Sequence, residues 1–461
     1  MVVGGGVYGA SVALSAAERG LKVALVEAGD YASGASANSL KIIHGGLRYL
    51  KDRDIARLRR AARARAWWLR AAREVVRPLR SVVGLRPWEV PAGAMAAGLY
   101  NILTRPWQTD LPTGHRLRAR VVRGAGGRGL MWYDALARQT QRLVVEMILG
   151  ARGLGAEAVN YVEAMGIEAR GGEVRVAVRE ALEGAQGEIV ARAVVVAAGP
   201  KGEVLAGLRP GRWALAVNLV VARQPGPMAI GVRSPMDDPV CGPKRYIFAV
   251  PWGPGAMLGT AYWPVEGPGE GDRPTPAHLL RLLEEFEAAW PQLGLEPGDV
   301  VDYHAGLVPL DKTGRLATRR RLKVVREGEG GILVVAGAKY TTAPVVGVEV
   351  AELVCRWLGK GVGAKELPHW RLKRVGRWGR QEEEIAAAVN EEQARTLDDL
   401  IFRRLGLEEM GMVPREVAEQ VGRIAARELA WSEQELARQV QRVLGRYELV
   451  RQLWKGTGRM Q

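Results

Sequence analysis

The sequence predicts an α/β protein, and three observations carry that prediction. The first thirty residues hold strand, glycine turn, helix, strand and acid in the order of a nucleotide-binding β-α-β unit. The chain has 461 residues, which at about 150 residues per domain is a prior for two or three domains. Its composition, 48% hydrophobic and 25% charged with 58 glycines, is that of a folded protein with many turns. A single small binding module, a disordered chain and a collagen-like repeat are thereby excluded.

In MVVGGGVYGASVALSAAERGLKVALVEAGD, Met1 to Val3 read as a strand and Ala10 to Arg19 follow helical spacing. Leu21 to Val26 form a second apolar run that ends at Glu27. Gly4, Gly6 and Gly9 satisfy the G-x-G-x-x-G spacing, in which glycines allow a tight turn, close approach to a pyrophosphate and close helix packing. A pyrophosphate at the helix N-terminus is stabilised by free N–H groups and by the helix dipole. Glu27 follows Gly9 by 18 residues, where a strand end presents an acid to ribose hydroxyls. A glycine turn of purely structural purpose would require no acid there. The first strand has three residues before Gly4 where about five or six are usual, so a start upstream of Met1 is expected.

Cys241 and Cys355 stand far apart with no CxxC and no Cys/His spacing, so neither a disulfide framework nor a structural zinc site is suggested. A reducing cytoplasm is the expected compartment. Lys and Arg number 66 against 50 Asp and Glu, a net charge of +16 that biases the surface toward anionic partners. No RNA or DNA module is legible and the few Tyr and Phe do not interleave with basic residues, so no nucleic-acid partner is expected. Met1 runs straight into an apolar strand with no basic segment before it, which gives no expectation of a signal peptide. The most apolar stretch, Val90 to Leu103, has 14 residues including Pro91 and Asn101, short of the roughly 20 a spanning helix needs.

After Glu27 the chain continues AGDYASGASANSLKIIHGGLRYL. Ala35 to Leu50 of this run resemble the signature that follows the first β-α-β unit in FAD-dependent glycerol-3-phosphate dehydrogenases, members of the D-amino-acid-oxidase-like flavoprotein superfamily. The likeness recurs in the family's order along nearly the whole chain. Trp132 to Ala135 with Arg142 and Leu143 resemble its aromatic-aspartate segment, and Tyr161 to Glu163, with Val162 at the centre, its adenine-packing strand. Ala193 to Pro200 resemble the turn that touches the cofactor through Gly199, and Tyr246 to Thr260 the paired strands of the substrate domain. Gly337, Lys339, Thr341 and Thr342 resemble the turn that opens the last helix of the FAD domain. Thr396 to Leu405 and Val417 to Leu436 resemble the helical C-terminal domain.

The resemblance implies FAD as cofactor and a Rossmann-type FAD-binding domain over 1–82, 126–212 and 301–362. It implies an interleaved mixed-sheet substrate domain over 83–125 and 213–300, and a helical C-terminal domain over 363–461. Ser36 and Ser39 are expected to hydrogen-bond phosphate and ribityl oxygens, with Lys41 beside them. Gly45 and Gly46 are expected to let backbone approach the flat flavin ring, with His44 nearby; a satisfied core histidine is the plainer reading of His44. The helix after Thr342 presents its N-terminus to the negative charge of reduced flavin.

The implied reaction is oxidation of a secondary alcohol, glycerol 3-phosphate or a related hydroxy compound, by hydride transfer to flavin N5. Electrons then pass to quinone or another acceptor. Arg48, Tyr49, Lys339 and Arg319 are the expected substrate contacts. Lys339 is the leading base if burial lowers its pKa, with His44 or His304 behind it; simple pairing with the flavin is the alternative role. Asn218 stands where the family carries a histidine, Val308 where it carries a phosphate-binding arginine, and Ala343 and Pro344 where it carries tyrosine and arginine. One lost charged hydrogen bond, about 1.5 to 3 kcal/mol, weakens phosphate binding roughly tenfold to a hundredfold. Amine or amino-acid oxidation, with Arg48 or Arg319 gripping a carboxylate, therefore stays open, as does a flavin-binding protein without turnover.

Lys51 to Arg80 hold 11 basic residues against Asp52, Asp54 and Glu74. Ile55, Leu58, Ala62, Leu69, Ala72 and Val76 follow helical spacing, so an amphipathic basic helix is expected. Such a helix suits an anionic membrane surface, and the resembled family's aerobic members are peripheral on the inner face of the cell membrane. A solvated helix packed on the FAD domain is the equal alternative. A homodimer is kept open.

Overall fold

A computed structural model describes residues 1–108, 117–124, 127–243, 245–267, 269, 273–317, 321–337, 339–361, 366–375 and 381–455. The expected FAD domain is organised by a six-stranded sheet in the order Arg321–Arg326, Gly331–Ala336, Ala193–Val196, Val2–Val3, Ala24–Val26, Glu157–Val159. All pairings are parallel except the first. Ala193–Val196 and Gly331–Ala336 are buried at every position, which is why both read as unbroken apolar runs.

Helices Val7–Ala17, Thr140–Gly153 and Ala343–Trp357 cover one face, with Ala10, Ala13, Val144 and Val350 in their shared core. Gly347 lies against the backbone of Ser11, so small residues set how closely the first and last of these helices approach. The opposite face is covered by an antiparallel meander of Val162–Arg170, Glu173–Glu180 and Gln186–Ala191. Its Val174 and Val176 pack on Val3, Val26, Val194 and Val334.

The second layer is a nine-stranded sheet in the order Val300–Pro309, Trp213–Val221, Gly255–Val265, Tyr246–Trp252, Ala229–Arg233, Val76–Leu85, Gly127–Ala137, Ile42–Ile43, with Arg120–Gly124 also on Gly127–Ala137. It is mixed, because Ala229–Arg233 runs parallel to Val76–Leu85 while its other pairs are antiparallel. The expected α/β class, interleaved mixed sheet and helical C-terminal domain are all present. The expected domain bounds are corrected. Val76–Leu85 crosses the 82/83 boundary, and Gly127–Ala137 and Val300–Pro309 belong to the larger sheet.

The basic segment is corrected too. Its helix spans Ile55–Ala71 and cannot extend to Arg80, because the β-branched pair Val75–Val76 leads into a strand and Pro78 lacks the N–H a helix needs. Leu58, Ala62, Trp67, Trp68 and even Arg65 are buried, so the helix packs into the protein and does not lie bare for a membrane. Exposed apolar surface sits instead on the next helix, Val90–Thr104. It buries Gly93, Ala97, Tyr100 and Thr104 and leaves Met95 and Ile102 each 72% exposed.

At the C-terminus, helices Gln381–Asn390, Arg415–Leu429, Glu433–Gly445 and Glu448–Lys455 and a π-helical turn Asp399–Arg404 enclose a core around Leu397, Ile401, Val421 and Val443. The expected stretch Val417–Leu436 is two helices, broken at Ala430 (φ 52°), with Ser432 Oγ accepting the Glu435 N–H. Among the described residues, no helix is long and apolar enough to cross a membrane.

Candidate active site and FAD crevice

The loops at the carboxyl ends of the parallel strands meet along one crevice, as expected where strand order reverses about a central strand. After Val3, Gly4 takes φ +106°, and a Cβ there would lie 2.6 Å from the Ala197 carbonyl oxygen. Only glycine suits both that backbone and that approach. Gly6 lies next to Ser36, whose Oγ accepts the Val7 N–H at 2.9 Å, and Gly9 sits against the Gly4 carbonyl. After Val26, Glu27 accepts the N–H of Gly5 at 2.6 Å and of Gly29 at 2.9 Å, while its carbonyl accepts Val162 N–H at 2.8 Å. Burial pushes the Glu27 carboxyl up against these amide contacts.

Gly199 (φ 56°) follows Val196. Gly337 follows Ala336 and lies against Tyr8, whose hydroxyl donates to the Lys339 carbonyl at 2.9 Å. Thr341 Oγ1 accepts the His44 N–H at 3.1 Å. Expected residues from four distant stretches thus share one crevice.

Three expectations change in physical meaning. A Cβ on Gly45 would strike the Arg65 guanidinium and the Tyr100 hydroxyl, so protein packing by itself already favours glycine there. The Gly45 N–H donates to Asp134 at 2.7 Å, which also accepts Trp132 Nε1–H at 2.8 Å and Ser81 Oγ–H at 3.1 Å. Gly46 sits with φ 86° over Leu58 and Ala61. Ser39 accepts the Lys41 N–H at 3.2 Å, a local turn contact. Lys41 is fully buried, and its ammonium faces Ala37 O at 3.0 Å, Thr140 Oγ1 at 3.1 Å, Gln141 Oε1 at 3.2 Å and Glu408 Oε1 at 3.1 Å. With three N–H donors and four protein acceptors, it has none to offer a cofactor.

Beyond Thr341 the crevice becomes cationic. Tyr49 is buried, with the Arg57 guanidinium 4.6 Å and that of Arg48 5.9 Å from its ring centre. Burial, with Arg48 next, pulls Lys339 down to about 7. Among the described residues, no carboxylate lies within ion-pair distance of it. His44 stacks edge-on to Tyr49 at 5.6 Å and is held well below its ordinary pKa by burial and by Lys339. Neither of its buried ring nitrogens has a hydrogen-bond partner among the described residues.

Cys241, near enough to feel Arg48 and Lys339, is pushed to about 11 by burial and by Asp238, so it stays a thiol. Asn218 is buried and accepts the Thr260 hydroxyl at 2.6 Å, opposite His304 on the neighbouring strand. His304 is itself buried edge-on to Trp252 at 5.4 Å. Val308 packs with Tyr262 and Val240 in an apolar cluster. Arg319 lies outside the described residues. Sequence reasoning missed Arg57, Cys241 and Tyr262, since their only signal is spatial convergence with Lys339 and Arg48.

The residues present fit FAD: a glycine cradle that any Cβ would fill, a helix N-terminus beside it, and two orphaned histidine nitrogens at the far end. The chain is 29% identical over 395 residues to the glycerol-3-phosphate dehydrogenase of Synechocystis sp. (strain ATCC 27184 / PCC 6803 / Kazusa), covering 77% of this chain and 69% of that relative. In structure it is similar to the glycerol-3-phosphate dehydrogenase from Bacillus halodurans complexed with FAD, with TM-score 0.70 and 20% identity over 97% of this chain and 94% of that one. It is also similar to glycine oxidase from Geobacillus kaustophilus, with TM-score 0.56 and 20% identity over 81% of this chain and 98% of that one. These two likenesses speak to the fold. A family model described as "DAO: FAD dependent oxidoreductase" matches residues 1–353, and the chain belongs to that family, with FAD as its cofactor.

Proposed function

We propose that this FAD-dependent oxidoreductase oxidises a secondary alcohol bearing an anionic group to a ketone, as its glycerol-3-phosphate dehydrogenase relatives suggest by name. The observation that carries the reading is Lys339, brought to about 7 by burial and Arg48 in a cationic end of the FAD crevice. A lysine with that pKa is half unprotonated near neutrality and serves as a general base. FAD, when bound, supplies the ring that accepts a hydride. Gly4, Gly6, Gly9, Glu27, Ser36, Val162 and Gly199 hold its nucleotide end; His44, Gly337 and Thr341 flank the other.

Arg48 attracts and orients the anion, Arg57 being already paired with Asp54, Tyr49 walls the pocket, and Lys339 Nζ takes the hydroxyl proton. Asn218 holds Thr260 and cannot act as a base. Electrons leave to quinone or another acceptor.

A second reading, oxidation of an amine or amino acid, is favoured by one observation. The Val308–Tyr262 wall is apolar where the family resemblance carries an arginine for phosphate, and a carboxylate held by Arg48 needs only one charged contact. Anaerobic mixing of the purified protein with glycerol 3-phosphate, 2-hydroxy acids and amino acids decides between them. Bleaching of the flavin band by an alcohol is expected; bleaching by amino acids alone would transfer the case to the second reading.

A membrane surface as partner is proposed through helix Val90–Thr104. Its Met95, Leu99 and Ile102, with Trp88 just before it, form an exposed apolar face flanked by Arg86 and Arg105, the pattern of an interfacial helix.

A further inference from the structure

We propose that the C-terminal helical unit is the clamp that retains FAD, because it grips from behind three loops that line the nucleotide crevice. The family match ends at residue 353, ahead of every C-terminal residue in this grip. The first loop carries Glu27. Three residues on, the buried Asp30 carboxylate accepts Arg403 Nε–H at 2.6 Å and Arg404 Nη1–H and Nη2–H at 2.9 and 2.8 Å. Burial alone would raise the pKa of Asp30, but Arg404 and Arg403 hold it at about 2, so it stays ionised.

The second loop is the glycine turn, backed by Tyr31: a Cβ on Gly5 would lie 2.7 Å from that ring. The Tyr31 hydroxyl donates to Gln393 Oε1 at 2.7 Å, and the Gln393 carbonyl accepts Asn160 Nδ2–H at 2.8 Å. The third is the run from Ser36 to Lys41, tied down by the buried Lys41–Glu408 pair at 3.1 Å.

The grip is strained as well as charged. Six non-glycine residues take positive φ among the described residues, and four of them, Ala32, Lys41, Tyr161 and Gln393, stand at this junction. Strain of this kind persists only where surroundings over-determine it, and it concentrates at functional sites. Buried ion pairs add little net stability over apolar packing, so two sets of them and a hydrogen bond between a helical unit and three cofactor loops argue for fixed placement of those loops.

The test uses the full chain, stripped of FAD and titrated with it while flavin fluorescence quenching and FAD release are followed. Tyr31→Phe and Gln393→Asn each remove the Tyr31–Gln393 hydrogen bond, and each is expected to weaken FAD binding about threefold to tenfold. The double variant should be no weaker than either single one. Asparagine is at ease at the φ of +61° that Gln393 adopts, so Gln393→Asn should lose affinity without losing thermal stability. Arg404→Lys forfeits the two-pronged contact and should release FAD at least about ten times faster; if it does not fold, the Tyr31/Gln393 cycle carries the test.

Unchanged FAD affinity in Tyr31→Phe and Gln393→Asn, or losses that add fully in the double variant, would overturn the clamp. A parental chain that takes up no FAD would sink the cofactor assignment, and the clamp with it.

Discussion

In the proposed reaction, the role of Lys339 rests on a balance of two effects on one ammonium. Burial and the neighbouring Arg48 disfavour its charge, while the substrate anion needs the positive field those same cations create. Because the folded value is about 7 against an unfolded value near 10.4, the unfolded chain binds more protons between those pH values, and stability rises with pH across that window. Activity follows the same proton: kcat/KM should climb about tenfold per unit below pH 7 and level off above it. Lys339→Met should remove that limb of the profile while FAD stays bound; a profile unchanged in shape would take the base role from Lys339. On the proposed role of the exposed Arg48, orienting the anion without taking its proton, Arg48→Ala should raise KM roughly tenfold to a hundredfold with little change in kcat. Loss of FAD in that variant would mark the arginine as a scaffold instead.

Among the elements, the helix Val90–Thr104 shows what a sequence conceals. Its 14-residue apolar core reads as too short to span, which is correct, but its exposed face emerges only when Gly93, Ala97 and Tyr100 are seen to be buried. The basic helix before it, which looked the better membrane candidate, has its hydrophobic positions spent on the protein interior, with Trp68 Nε1 donating to the Thr341 carbonyl at 3.1 Å. Met95→Glu with Ile102→Glu should therefore abolish sedimentation with anionic liposomes at low salt while FAD binding persists; continued co-sedimentation would move the contact to another surface, and a parental chain that does not sediment would remove the membrane proposal.

The β-α-β unit and the glycine turns were legible because local spacing encodes them. The Gly45 clash with Arg65 and Tyr100, and the placement of Lys41 on Glu408, were not, because partners 20 to 367 residues away leave no local pattern. The expected basic helix ran on into the strand Val76–Leu85 because Val76 follows Ala72 at helical spacing, and only its cross-strand pairing with Ala137 sets it in the sheet.

At the scale of the whole molecule, the C-terminal helices are tied to both sheets, so on the proposed clamp FAD should report on all three. A group that binds only the folded chain adds RT ln(1 + [L]/Kd), about 2.7 kcal/mol at a hundredfold excess over Kd. At roughly 2 to 4 °C per kcal/mol for domains of 150 to 250 residues, FAD should raise the melting temperature by about 5 to 11 °C. How the shift distributes is the sharper observation. Arg142 donates to Glu392 from the helix that covers the parallel sheet, Tyr161 donates to Asp399, and Arg446 reaches Asp302 of the second sheet, so unfolding of the C-terminal helices must break buried charged contacts with both sheets. One transition that moves as a unit on adding FAD is therefore expected in calorimetry. Two transitions, of which FAD shifts only the one belonging to the sheets, would mean that those contacts bind the helices in place without coupling them to the cofactor.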